Sequence, residues 1–192
     1  MRLPWISSCG IGVTLSEGNM TIGRGHKQND RNATEGETVM ADNTNNAQAN
    51  QQQPEPSSDL NNLGERLVGT WEMSGEVSGT VTYEWMEGGF FLIQHVDLEQ
   101  YGQRIKGIEF IGHERPFGSG PSEEIKSRFY RTTGDTLDYV YELAGNTLTI
   151  WGGERGSPAY AKSELSEDYK TGSGEWVYPG GGGYQFTMTR AG

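Results

Sequence analysis

The sequence predicts an all-β fold: about ten short antiparallel strands closed into an up-and-down barrel, preceded by a disordered N-terminal tail. Three observations carry this. The 192 residues include 29 glycines alongside five Trp, nine Tyr and six Phe, the mixture that many strands joined by glycine turns produce. Every aromatic except Trp5 lies beyond residue 70, so the core belongs to the later part of the chain. There, apolar and polar residues alternate in run after run, and "EGG", "TTGD", "AGN" and "YKTGSG" separate the runs. Ten consecutive antiparallel strands leave two exposed edges unless they close, and a barrel removes both.

Residues 1–62 are read as the tail. "NTNNAQANQQQPEPSSD" (43–59) is dominated by Asn, Gln, Pro and Ser and carries no positive charge. Such a segment buries too little apolar surface to offset its ordering entropy. The opening "MRLPWISSCGIGVTL" has too few residues before Cys9 for an export signal of the lipoprotein kind, so a cytoplasmic location is expected. Met40, which opens "MADNTNN", is an alternative start.

The barrel domain is assigned to 63–192. "LNNLGERL" (60–67) places Leu60, Leu63 and Leu67 on one face of a short helix. The strands follow at 69–77, 79–87, 90–98, 104–113, 125–132, 136–143, 146–152, 159–165, 172–178 and 184–190. Between the last two lies "PGGGG". A phosphate-binding loop needs a lysine, a Ser or Thr and then a helix. Here "YQFTMTR" follows with one apolar face, so the glycines form a turn.

Charge and motifs exclude several function classes. A net charge of -11 argues against nucleic acid, whose backbone needs a basic footprint, and against anionic membrane surfaces. It leaves a neutral or cationic partner. No apolar run approaches the roughly 18 residues of a spanning helix. A lone cysteine forms no internal disulfide, and three scattered histidines form no metal motif. No metal and no cofactor is therefore expected.

Strand parity sorts the candidate interior. Trp71 and Met73 share a face, as do Val81, Tyr83 and Trp85, then Leu137, Tyr139, Tyr141 and Leu143, then Leu148 and Ile150. Tyr184, Phe186, Met188 and Arg190 complete the set. Strands three and four are ambiguous. One choice points His95 and Glu109 inward together as an imidazole–carboxylate pair, which could orient a ligand or serve as an acid–base couple in an isomerase or hydrolase. The other sends one of them to solvent. Arg128 and Arg131 lie on opposite faces of strand five, so only one points inward.

"LVGTWEMSG" opens the first strand with Gly69 and Trp71, and the last strand ends in Arg190. This resembles the lipocalin and fatty-acid-binding (calycin) pattern, in which an Arg from the last strand covers a Trp at the barrel base. "YEWMEGGFFLIQHVD", "IKGIEFIG", "LTIWGGERGSPAY" and "WVYPGGGGYQFTMTR" resemble the DUF1579-type bacterial family. That likeness covers about residues 63–190 and implies a lipocalin-like barrel but no activity. Nitrobindin-like haem barrels share the Gly-x-Trp opening, but their haem-ligating histidine lies late in the chain. Here none follows His113, which argues against haem.

The expected function is binding of a small apolar or aromatic molecule inside the barrel. The expected lining is Trp71, Tyr83, Trp85, His95, Glu109, Tyr139, Tyr141, Tyr184, Phe186 and Arg190. The alternatives are the His95/Glu109 enzyme and a packed barrel that serves as an interaction module. Oligomeric state is left open.

Overall fold

A computed structural model describes residues 55–192. Of the tail expected over residues 1–62, residues 1–54, with the alternative start Met40, lie outside the described residues. A helix comes first, α1 (Ser58–Leu67). Ten strands follow: β1 (Gly69–Gly75), β2 (Val77–Trp85), β3 (Phe91–Gln100), β4 (Gln103–Gly112), β5 (Ile125–Arg131), β6 (Thr136–Ala144), β7 (Thr147–Gly152), β8 (Tyr160–Leu165), β9 (Thr171–Val177) and β10 (Gly183–Arg190). Each strand pairs antiparallel with its sequence neighbours, and β1 pairs with β10. The sheet is a closed ten-stranded barrel with no free edge, as the sequence predicted. Among the described residues, no helix is long and apolar enough to cross a membrane.

The predicted strands survive with shifts of a few residues at their ends. The largest rearrangement is at the first hairpin. β1 stops at Gly75, whose φ of 110° disfavours a side chain, and Val77 opens β2 as a buried inward residue. The "PGGGG" segment reverses the chain: Tyr178 N–H donates to the Gly182 carbonyl at 3.1 Å and Gly181 N–H to the Tyr178 carbonyl at 3.2 Å. Gly180 to Gly182 all hold φ between 83° and 98°, where β-carbons are disfavoured.

α1 closes one end of the barrel. Its Leu60, Leu63 and Leu67 are fully buried with Trp71, and burial of each leucine contributes about 2 kcal/mol. The helix starts at Ser58, ahead of the boundary drawn at 63. Gly64 allows close approach, because a β-carbon there would lie 2.1 Å from the Trp85 ring. His113, just after β4, ties the helix down through Asp59 Oδ1 at 3.2 Å and the Ser122 carbonyl at 2.7 Å.

The last strand seals the same end. The Arg190 guanidinium lies 4.4 Å from the Trp71 ring centroid, and the Trp71 indole N–H donates to the Leu67 carbonyl at 2.8 Å. Arg190 Nε donates to the Tyr169 carbonyl at 3.0 Å and Nη2 to the Arg66 carbonyl at 2.7 Å, while Nη1 reaches the Val68 carbonyl. One cation thus satisfies three carbonyls where helix and barrel meet, and covers an indole face as well.

Candidate functional site

Register fixes which side chains face the lumen. Gln94 pairs with Glu109, His95 with Ile108, and Glu109 with Phe129. Glu109 and Gln94 therefore point inward and are buried, while His95 points out. His95 Nε2 lies 3.0 Å from Glu84 Oε1 on the outer wall, with both side chains about half exposed. His95 and Glu109 therefore form no pair. Residues one apart in neighbouring register occupy opposite faces of a sheet, and the acid–base enzyme built on that pair falls with it.

Glu109 instead anchors a polar cluster in the middle of the barrel. Ser127 Oγ and the Tyr141 hydroxyl, the latter at 3.1 Å, both donate to Glu109 Oε1. Beside them Gln94 Nε2 donates to the Tyr83 hydroxyl at 2.6 Å. Burial raises the Glu109 carboxyl from its usual 4.5 to about 7, although the two hydroxyl donors oppose the shift. Burial and the Glu109 charge hold the Tyr83, Tyr139 and Tyr141 hydroxyls well above the usual phenol range.

The lumen is mostly dry towards α1 and mixed towards the other end. Towards α1 it is filled by Trp71, Tyr83, Leu92, Ile111, Ile125 and Leu148, all buried. Towards the opposite end, Met73, Leu98, Tyr139, Ile150, Trp176 and Tyr184 face inward yet stay partly exposed, and Leu137 is exposed. These residues form a mouth encircled by the β1–β2, β3–β4, β5–β6, β7–β8 and β9–β10 turns. Its walls are aromatic: the Tyr139 and Trp176 rings lie 5.9 Å apart, and Tyr184 lies 6.2 Å from both Tyr178 and Phe186. Arg131 stands at the rim, 3.6 Å from Asp135. Its strand-mate Arg128 faces out and pairs with Asp138 at 2.6 Å.

The expected lining residues thus separate into groups. Tyr83, Glu109 and Tyr141 form the mid-barrel cluster, and Tyr139 and Tyr184 line the mouth. Phe186, opposite Gly75 at the end of β1, is buried. Trp71, Trp85 and Arg190 belong to the closed end: Trp71 is completely buried, and Trp85 packs over Gly64 of the helix. Their inward parity was correct, but parity carries no information on depth along the axis. Gln94, Ser127, Trp176 and Arg131 were not singled out as lining. For Gln94 and Ser127 the available signal was their parity with Leu92 and Ile125.

The outer surface of the described residues carries at least two concavities. One, of about 350 Å³, lies on the β2–β3–β4 wall against Thr80, Thr82, His95, Asp97, Lys106 and Ile108. Hydrogen bonds from Arg104 and Lys106 hold the Asp97 carboxyl below the usual carboxylate range. The other, of about 230 Å³, lies beside the β9–β10 hairpin. Neither is lined by Glu109 or Tyr141. Among the described residues, no group of three or more His, Cys, Asp or Glu is placed to hold a metal ion. No family model matches the chain, and no curated protein is significantly similar to it.

Proposed function

We propose that the barrel binds a small apolar or aromatic molecule through its open mouth, with the molecule's polar group directed to the Glu109 cluster. One observation carries this reading. Inward side chains are sealed at the α1 end, whereas at the other end Val77 and Phe186 are buried but Met73, Leu98, Tyr139, Ile150, Trp176 and Tyr184 stay partly exposed, so some apolar surface is left uncovered inside the wall. Uncovered apolar and aromatic surface with a few convergent polar groups is the usual composition of a ligand site. The resemblance to DUF1579-type proteins is retained as a proposal, supported by the quoted segments and by the barrel itself. A cytoplasmic location is retained in the same way.

Native mass spectrometry of the full chain, purified gently from its own source, tests this. The expected result is a discrete non-covalent mass that disappears on denaturation, together with saturable binding of 1-naphthalenemethanol followed by tryptophan fluorescence. Bare protein with no saturable naphthyl binding overturns the reading.

A second reading has its own observation. Ile108 and Phe110 on β4 and Tyr130 on β5 are each at least 40% exposed on the outer wall, with the Phe110 and Tyr130 rings edge-to-face at 6.3 Å. Exposed apolar patches mark interaction surfaces, so a packed barrel that presents this wall to a protein is the alternative. Phe110→Ser with Tyr130→Ser would abolish partner capture under that reading and leave naphthyl binding intact under the first.

A further inference from the structure

The interior reading leaves the chemistry of the ligand open, and the Glu109 cluster narrows it. Both protein donors to this carboxyl, Ser127 and Tyr141, converge on the same oxygen, Oε1. Tyr83 and Gln94, which also face the cluster, are hydrogen-bonded to each other. Oε2 is thus left with acceptor capacity that the neighbouring side chains do not use. A carboxylate can accept about four hydrogen bonds, and two side-chain donors leave room for another.

The charges around it point the same way. The groups facing Glu109 from the neighbouring strands are Tyr83, Gln94, Ser127, Tyr139 and Tyr141. None of these is a cation. Among the described residues, two basic side chains lie on the inner face, and neither is hydrogen-bonded to Glu109: Arg131 stands at the rim, 3.6 Å from Asp135 and with its buried Nε unpartnered, and Arg190 is bonded to carbonyls at the closed end. A carboxylate without a counter-ion sits below a mouth walled by Tyr139, Trp176 and Tyr184, whose ring faces attract cations. The chain carries a net charge of -11, which draws cations towards it and repels anions.

We propose that the ligand is a hydrophobic amine, or a similar apolar molecule with a charged N–H donor, whose nitrogen pairs with Glu109 Oε2 while its apolar body occupies the aromatic mouth. This rests on the interior-binding reading. A carboxylate-bearing lipid is disfavoured, because its head group would meet the Glu109 charge.

The test compares three naphthyl probes of nearly equal size: 1-naphthylmethylamine, 1-naphthalenemethanol and 1-naphthaleneacetic acid. Binding to the full-length protein is measured by calorimetry at pH 8 and pH 5, and repeated with Glu109→Gln. At pH 8 the amine is expected to bind at least tenfold more tightly than the alcohol, and the acid most weakly. The amine preference is expected to vanish in Glu109→Gln and to shrink at pH 5, where Glu109 is protonated. The pH comparison on the unaltered protein stands even if the variant does not fold. Equal affinity for amine and alcohol overturns the amine assignment and leaves interior binding intact. Survival of the preference in a folded Glu109→Gln assigns it to the acidic surface and overturns the role of Glu109. Failure of all three probes to bind removes both readings.

Discussion

Replacing Glu109 with Gln should make the protein more tolerant of neutral and alkaline pH. The carboxyl ionises near 4.5 when exposed and near 7 in the folded barrel, because burial disfavours its charge. The folded state therefore holds a proton that the unfolded state has released throughout the window between those values. Stability rises with pH where the unfolded state binds more protons. Here the folded state binds more, so this group's contribution falls as pH rises. Below about 4.5 both states are protonated and there is no penalty; above about 7 both are ionised and the penalty is complete. Two and a half pH units at about 1.4 kcal/mol each give about 3 kcal/mol, most of it developed by pH 6.5.

The amide introduced by Glu109→Gln keeps an oxygen for Ser127 and Tyr141 to donate to, but it does not titrate. Urea unfolding of both proteins at half-unit steps from pH 4 to pH 8 isolates the effect, because every other titrating group is common to the pair. The stability of Glu109→Gln relative to the unaltered protein should climb by about 3 kcal/mol between pH 4.5 and pH 7.5 and be level outside that range. The Tyr83, Tyr139 and Tyr141 hydroxyls ionise far above this window and do not blur it. A difference that is flat across the window, or that falls with pH, refutes the argument that an uncompensated carboxyl lies inside the barrel.

Three further substitutions probe other parts of the argument. Arg190→Ala removes three carbonyl contacts and the guanidinium over Trp71; it should cost about 3 kcal/mol by urea unfolding, with Arg190→Lys recovering only part. A loss below about 1 kcal/mol would mean that α1 closes the barrel without it. Gly174→Ala places a β-carbon 2.3 Å from the Lys162 carbonyl, which should strain the β8–β9 pairing and lower the urea midpoint by an amount equivalent to about 2 kcal/mol; an unchanged midpoint would count against that close approach. His95→Ala loses only the exposed contact to Glu84, so stability should stay within about 0.5 kcal/mol. Naphthyl affinity should also be unchanged, and a marked loss of binding would put His95 back at the ligand.

What the sequence showed of the interior, and what it hid, both follow from strand physics. In β1, β2, β6 and β10 one face is plainly richer in apolar residues, so parity alone identified Trp71, Tyr83, Tyr139, Tyr141 and Phe186 as inward. β3 reads "FLIQHVDL", with apolar residues on both faces, and local pattern could not choose between them. β4 is more instructive, because there hydrophobicity points the wrong way. Ile108 and Phe110 are each 40% exposed while Glu109 between them is buried. Ile105 and Ile111 do favour the observed face, but the decisive residue is Gly107. Its position faces the Phe129 ring, and a β-carbon would lie 2.6 Å from that ring and 2.3 Å from the Tyr130 carbonyl. Only glycine permits β4 and β5 to approach so closely on that face. Register acts on the whole strand, so once Gly107 is inside, Glu109 is carried in two positions later and two apolar side chains are turned out. That contact is tertiary, and no periodicity within the strand encodes it.

A barrel selected for stability alone would mend the conflict by placing an apolar residue at 109. Many sequences that fold well agree at every level, and the points where they disagree concentrate at functional sites. At Glu109 the disagreement is only half compensated: two hydroxyls serve one oxygen, the other has acceptor capacity to spare, and solvent-reachable aromatic rings stand above. A polar network that is complete can be explained as structure. One that stops a donor short, facing an open mouth, is better explained by a ligand that brings the donor with it.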